Sequence, residues 1–209
     1  DAARPLSELK VGAVQGAFEA EHETQPHDLA AAFALRDLGV ELTPVELPAL
    51  PEHGYAALRL ILTAEAAAAF EELTLSDRDD LLVRQDKDAW PNVFRMAQLM
   101  PAVAFVQAGR VRARLMAQMR DLMDRIDVYV CPSYGAETLT LTNLTGHPAV
   151  VVPNGFSEQN TPASSLTFTA RLDREADALR LAKAYQDATD FHAQRPVAYK
   201  GQGKGQGKR

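Results

Sequence analysis

This sequence predicts an α/β fold, a mixed β-sheet covered by helices, and three observations predict it. Residues 10–48 read strand, helix, strand, the order of a parallel βαβ unit. A long amphipathic helix follows over residues 101–125. The remainder returns to apolar, β-branched runs at 127–132, 149–153 and 164–172 before a closing helix.

Each element has a local reason. KVGAVQ, 10–15, is short, apolar and strand-like. From His27 to Leu38, Leu29, Ala32, Phe33, Arg36 and Leu38 recur at helical spacing, and Gly39 supplies the stop. VELTPVELP, 40–48, alternates apolar and polar residues, and Pro44, which cannot donate to a ladder, predicts an edge or irregular strand. Residues 55–73 form an Ala- and Leu-rich helix, followed by the polar loop SDRDD. Arg84 to Trp90 is polar and Pro91 breaks it. Pro101 suits the first position of the long helix. Within that helix Val103, Val106, Val111, Leu115, Met119, Leu122 and Met123 recur three to four residues apart. DVYVCP, 127–132, predicts a strand ending at Pro132. AVVVP, 149–153, is continuously apolar, as expected of a strand buried on both faces. SSLTFTARL, 164–172, sets Leu166, Phe168, Ala170 and Leu172 against Thr167, Thr169 and Arg171. Asp173 is the expected N-cap of a last helix to about Phe191, with Glu175 and Asp177 near its positive end.

Composition narrows the function. The chain has 209 residues, 46% hydrophobic and 24% charged, with a net charge of 22 − 28 = −6. This is the composition of a globular protein, and the acidic balance argues against nucleic acid or an anionic membrane as partner. No apolar run is long enough to span a bilayer, and no signal peptide is recognisable. The single cysteine, Cys131, excludes an internal disulfide and fits a reducing, cytoplasmic setting. The tail at 197–209 is rich in Gly and Lys, has nothing to bury and reads as flexible. The chain begins at Asp1 rather than methionine, which reads as processing or as a piece of something longer.

Complete catalytic sets are absent from the local chemistry. The five histidines, at 22, 27, 53, 147 and 192, are dispersed, without HExxH or a Cys/His pair, so no metal site is expected. Glu21-His22-Glu23 reads as a solvated charged turn. A serine hydrolase needs a nucleophile, a base and oxyanion donors, and the GxSxG elbow is missing. Ser133 follows a strand end, where α/β proteins place sites, but a strand-to-loop turn is the simpler reading. Ser164-Ser165 opens a strand, where hydroxyls satisfy local groups. Cys131 reads as a buried small hydrophobe. Asn143-Leu144-Thr145 matches a glycosylation acceptor and is read as coincidence. Trp90, Phe94 and Phe105 read as core, and Arg110, Arg112 and Arg114 as a solvated helix face that can turn one arginine inward to a carboxylate.

NLTGHPAVVVPNGF, 143–156, resembles the C-terminal segment of the amidase signature family, and the likeness extends along the chain. LKVGAVQGAFE resembles the strand after that family's catalytic region, and ALRDLGVELTPVELP the next helix and strand. RDDLLVRQDKDAWPNVFRMAQLMPAVAFVQAGRVRARLM resembles a helical stretch of one amidase subfamily. IDVYVCPS and SSLTFTARLDREADALRLAKAYQDATDFHAQRP resemble the strand-and-turn and the closing strand and helix. The resemblance covers about residues 8–196, which would form the C-terminal part of a single amidase-like α/β domain.

The resemblance implies hydrolysis of linear amides, or transfer of their ammonia, through a Lys–cis-Ser–Ser triad. The triad's lysine and Gly/Ser-rich signature precede the part resembled, so no residue here maps onto it. The implied role is to supply sheet core and pocket wall, inactive alone, with no catalytic residue, cofactor or metal. Substrate contacts are expected from the loop Ser133–Thr142 and the segment after it, with Tyr134, Glu137 and Asn143 as the candidates. Arg112 joins them because glutamine-handling relatives use an arginine on a similar helix. The expected partners are a small amide substrate and either the missing N-terminal half or a second copy, because half a sheet leaves a raw edge and exposed apolar surface. Two rival readings stand beside this one: a non-catalytic α/β binding or interaction module, and a different hydrolase built on Ser133 or Cys131.

Overall fold

The structure is a computed structural model and describes residues 5–50, 54–133, 138–156 and 162–195, without the side chains of Tyr55 and Pro162. The tail expected at 197–209 lies outside the described residues. The chain divides into two compact units, one of residues 1–47 and 119–209, the other of residues 48–118.

The first unit holds the sheet. Its strands are β1 (Val11–Val14), β2 (Leu42–Val45), β3 (Val128–Pro132), β4 (Ala149–Phe156) and β5 (Pro162–Ala170). They lie in the order β2-β1-β3-β5-β4. β1 runs parallel to β2 and β3, while β5 runs antiparallel to β3 and β4. The sheet is therefore mixed, as expected, and the βαβ unit is present with α1 (Gln25–Asp37) as its crossover. Pro44 sits on β2, at the sheet edge where a missing N–H costs no ladder bond. Gly39, at φ +79°, turns the chain out of α1.

One face of the sheet carries the core. Val11, Val128, Val130, Val152, Leu166, Phe168 and Ala170 pack against Ala31, Ala32 and Leu35 of α1 and against Ala178, Leu181, Ala182 and Tyr185. The last four belong to α7 (Glu175–Thr189). The Phe168 and Tyr185 rings meet at 6.1 Å between centroids. The other face buries Tyr129, Cys131, Thr167 and Thr169, so β3 and β5 are enclosed on both sides. β4 is not. It lies at the edge, Ala149 is exposed and Val151 keeps 58% of its surface. The apolar run AVVVP is thus an edge strand with one covered face. A continuous apolar pattern predicts cover on both faces, but the position in the sheet order decides whether that cover is present.

Local rules shifted at two helix starts. Asp173 does not cap α7. It occupies the left-handed region at φ +61°, and Arg174 precedes the helix, donating from Nε to Asp177 Oδ2 at 2.9 Å. Asp173 turns the chain instead, while Glu175 and Asp177 do lie in the first helical turn. Pro91 starts a helix rather than only ending a polar stretch, because proline is tolerated in a first turn, where its missing N–H has no intrahelical partner.

The second unit is helical: α2 (Gly54–Ala69), α3 (Glu71–Leu75), α4 (Trp90–Ala97) and most of α5 (Ala102–Met123). Phe94 is buried, stacked between Phe70 at 5.0 Å and Trp90 at 5.5 Å. Trp90 and Phe105, expected in the core, remain 49% and 42% exposed. The apolar stripe of α5 divides similarly: Val103 and Val106 are exposed, while Leu115, Met119, Leu122 and Met123 are buried. Asp79 is fully buried and meets Arg95 of α4 at 2.6 Å.

Candidate functional site

A cavity of the first unit, about 1020 Å³, opens where β1 and β3 end and β5 begins. That is the end of the sheet at which α/β folds build sites. Gln15, Gly16, Ala17 and Ala20 line it from the turn after β1, and Pro132 and Ser133 from the end of β3. Val151, Val152 and Pro153 contribute an apolar wall from β4, and Ala163, Ser164 and Ser165 close it from β5.

A polar chain runs along one side. The Ser164 hydroxyl donates to Asn154 Oδ1. Asn154 Nδ2 donates to Asp28 Oδ1 at 2.7 Å. Asp28 Oδ2 lies 3.1 Å from His22 Nε2, and His22 Nδ1 lies 3.1 Å from the Thr24 hydroxyl. Local structure explains each placement. Asn154 is the residue passed over in the β4–β5 register, between Pro153 opposite Ser165 and Gly155 opposite Ser164. A bulge of this kind re-aims a side chain. Gly155 next to it allows α1 to approach, since a Cβ there would lie 2.4 Å from His27 Cγ. Asp28 sits in the first turn of α1, where the helix dipole favours a carboxylate.

Among the described residues, Ser133 and Ser164 have no base as hydrogen-bond partner. Ser133 takes a hydrogen bond from the Thr167 hydroxyl at 2.8 Å, and its N–H donates to Ser165 O at 2.9 Å. A threonine does not activate a nucleophile. Ser164 donates to an amide oxygen, which is not a base at neutral pH. Cys131 is fully buried, and burial pushes its thiol up to about 11, with a hydrogen bond involving Thr138 acting in the opposite direction. Such a thiol is protonated and unreactive at neutral pH. Among the described residues no group of three or more His, Cys, Asp or Glu side chains is placed to hold a metal, and no helix is long and apolar enough to cross a membrane.

Tyr134 and Glu137 lie outside the described residues. The expected loop from Ser133 to Thr142 is in part a helix, α6 (Thr138–Thr145). Thr142 and Thr145 return their hydroxyls to carbonyls one turn back, which lets a threonine-rich stretch coil. Asn143 is exposed on α6 and is not among the cavity's lining residues. Arg112 is half-buried on the portion of α5 in the second unit. His22, Asp28 and Asn154 were the residues that sequence reasoning missed. Asn154 and Asp28 are 126 positions apart, and only folding brings them together.

No protein-family model matches the chain. The A subunit of glutamyl-tRNA(Gln) amidotransferase from Ralstonia nicotianae is 27% identical over 95% of this chain and 48% of its own length. The structure of native peptide amidase from Stenotrophomonas maltophilia superposes with a TM-score of 0.71 at 20% identity, over 93% of this chain and 46% of that one. A bacterial aryl acylamidase of the amidase signature family gives a TM-score of 0.65 at 19% identity, over 94% and 49%. The chain spans about half the length of the curated relatives it matches. It is a homologue of the amidotransferase A subunits, and its mixed α/β fold is that of about half an amidase-signature enzyme.

Proposed function

We propose that this chain is the C-terminal portion of an amidase that cleaves the C–N bond of linear amides by a Lys–Ser–Ser mechanism. Its part is to supply sheet core and one wall of the substrate pocket, while the lysine, the two serines and the oxyanion loop come from the preceding half. One observation carries this reading: the chain matches half of amidase-signature structures across nearly its whole length, yet Ser133 and Ser164 at its cavity have hydrogen-bond partners that cannot act as bases. On this reading residues 1–196 belong to a single amidase-like domain. Tyr134, Glu137 and Asn143 border the substrate, Arg112 contributes from α5, and the setting is cytoplasmic. The partner is the missing N-terminal half or a second copy of the chain.

The test is reconstitution. The chain alone is expected to release no ammonia from simple amides. Co-expressed with a segment carrying the upstream lysine and the Gly-rich Ser-Ser signature, it is expected to gain turnover. Turnover by the chain alone would overturn the proposal. The cavity and its polar chain also favour a second reading, a non-catalytic binding module. Ligand binding with no turnover even after reconstitution would support that one.

A further inference from the structure

Asp28 is a buried carboxylate in want of a cation. It is 1% exposed, in the wall of the cavity at the strand ends. Oδ1 accepts one hydrogen bond, from the Asn154 amide. Oδ2 is buried and has no hydrogen-bond partner; His22 Nε2 lies 3.1 Å away and forms an ion pair with it only when that ring is protonated. His22 is 38% exposed, so it covers the carboxylate from the solvent side. The charge is felt nearby: after burial itself, Asp28 is the second cause that raises the Tyr185 hydroxyl above its ordinary value. No lysine or arginine is among the described residues that line the cavity. The turn that carries His22 adds Glu19, Glu21 and Glu23, all exposed. A buried carboxylate is normally paired with a cation or supplied with several donors. Here the one donor is the Asn154 amide, and the other group at hand is the His22 imidazole at the rim.

We propose that the cavity binds small ligands through a cationic amine placed at Asp28, with the ligand's apolar portion against Val151, Val152 and Pro153, and that it rejects carboxylates. The ammonium takes the open valence at Oδ2 as His22 moves toward solvent. Neutral amides bind through the apolar wall alone. This inference rests on the cavity and not on the amidase reading, and it stands even if no catalytic half joins the chain.

The test is an amide-detected NMR titration of the 209-residue chain at pH 7.5 and constant ionic strength with n-butylammonium, butyramide and butyrate. The expected order is butylammonium tightest, butyramide weaker and butyrate weakest, with about tenfold between the two ions, a difference that one screened charge pair accounts for. Asp28→Asn is expected to weaken butylammonium about tenfold and leave butyramide unchanged. Butyrate binding as well as butylammonium, or unchanged amine binding in Asp28→Asn, would overturn the proposal. His22→Ala provides a variant that does not disturb the buried pair. It uncovers Oδ2 and is expected to tighten butylammonium several-fold, and amine binding weakened or unchanged there counts against the proposal even if Asp28→Asn does not fold.

Discussion

Burial holds the His147 imidazole below its ordinary value, beside the Thr145 hydroxyl at 2.9 Å. The folded chain keeps it neutral where the unfolded chain would take a proton. Above the unfolded value, about 6.5, both states are neutral and His147 adds no pH dependence. As pH falls below that value the unfolded state binds the extra proton, and stability falls with it. The urea midpoint is therefore expected to drop between pH 7 and pH 5.5, and to drop less in His147→Gln. Equal drops in the two proteins would show that His147 is not the group responsible. The sequence placed His147 among five dispersed histidines, and nothing in its neighbours distinguished a buried ring from a solvated one. Cys131 was different: its apolar strand pattern predicted burial, and the pattern held.

Between elements, two contacts depend on single atoms. α1 lies so close to β4 that Gly155→Ala would press a methyl onto the His27 ring. The expected cost is about 2 kcal/mol, as for overpacking elsewhere. Adding His27→Ala should recover most of it, and additive losses in the double variant would refute the contact. In the helical unit, Asp79 ties the turn Arg78–Leu81 to α4 through Arg95. Asp79→Asn removes a charged partner at a buried site, which is worth about 2 kcal/mol. Asp80, exposed and 3.2 Å from the same arginine, should cost far less when changed to Asn. Urea unfolding of the two variants separates the cases, and equal losses would reject the ranking. The helices and strands themselves were readable because period and breakers are local signals. The start of α7 was not, because Asp173 had two favourable uses, cap or left-handed turn, and the folded chain takes the second.

For the whole molecule, the uncharged edge strand β4 leaves Val151 open, and α5 leaves Val103 and Val106 open. Such surface favours association. Sedimentation is expected to show self-association that increases with concentration. Val151→Lys should weaken it, because a charge on an edge strand opposes further pairing. A monomer at all concentrations would remove the expectation. By itself the sequence determined the mixed α/β class and the parallel βαβ unit with its proline-bearing edge, because these follow from short-range periodicity and from the order of segments, and stretches such as NLTGHPAVVVPNGF carried the resemblance to half of an amidase. Only the tertiary structure decided that β4 lies at an edge, and that His22, Asp28 and Ser164 meet at one cavity, with Asn154 linking Asp28 to Ser164. Those facts depend on strand order, on one bulged residue and on contacts across more than a hundred positions, and no local pattern encodes them.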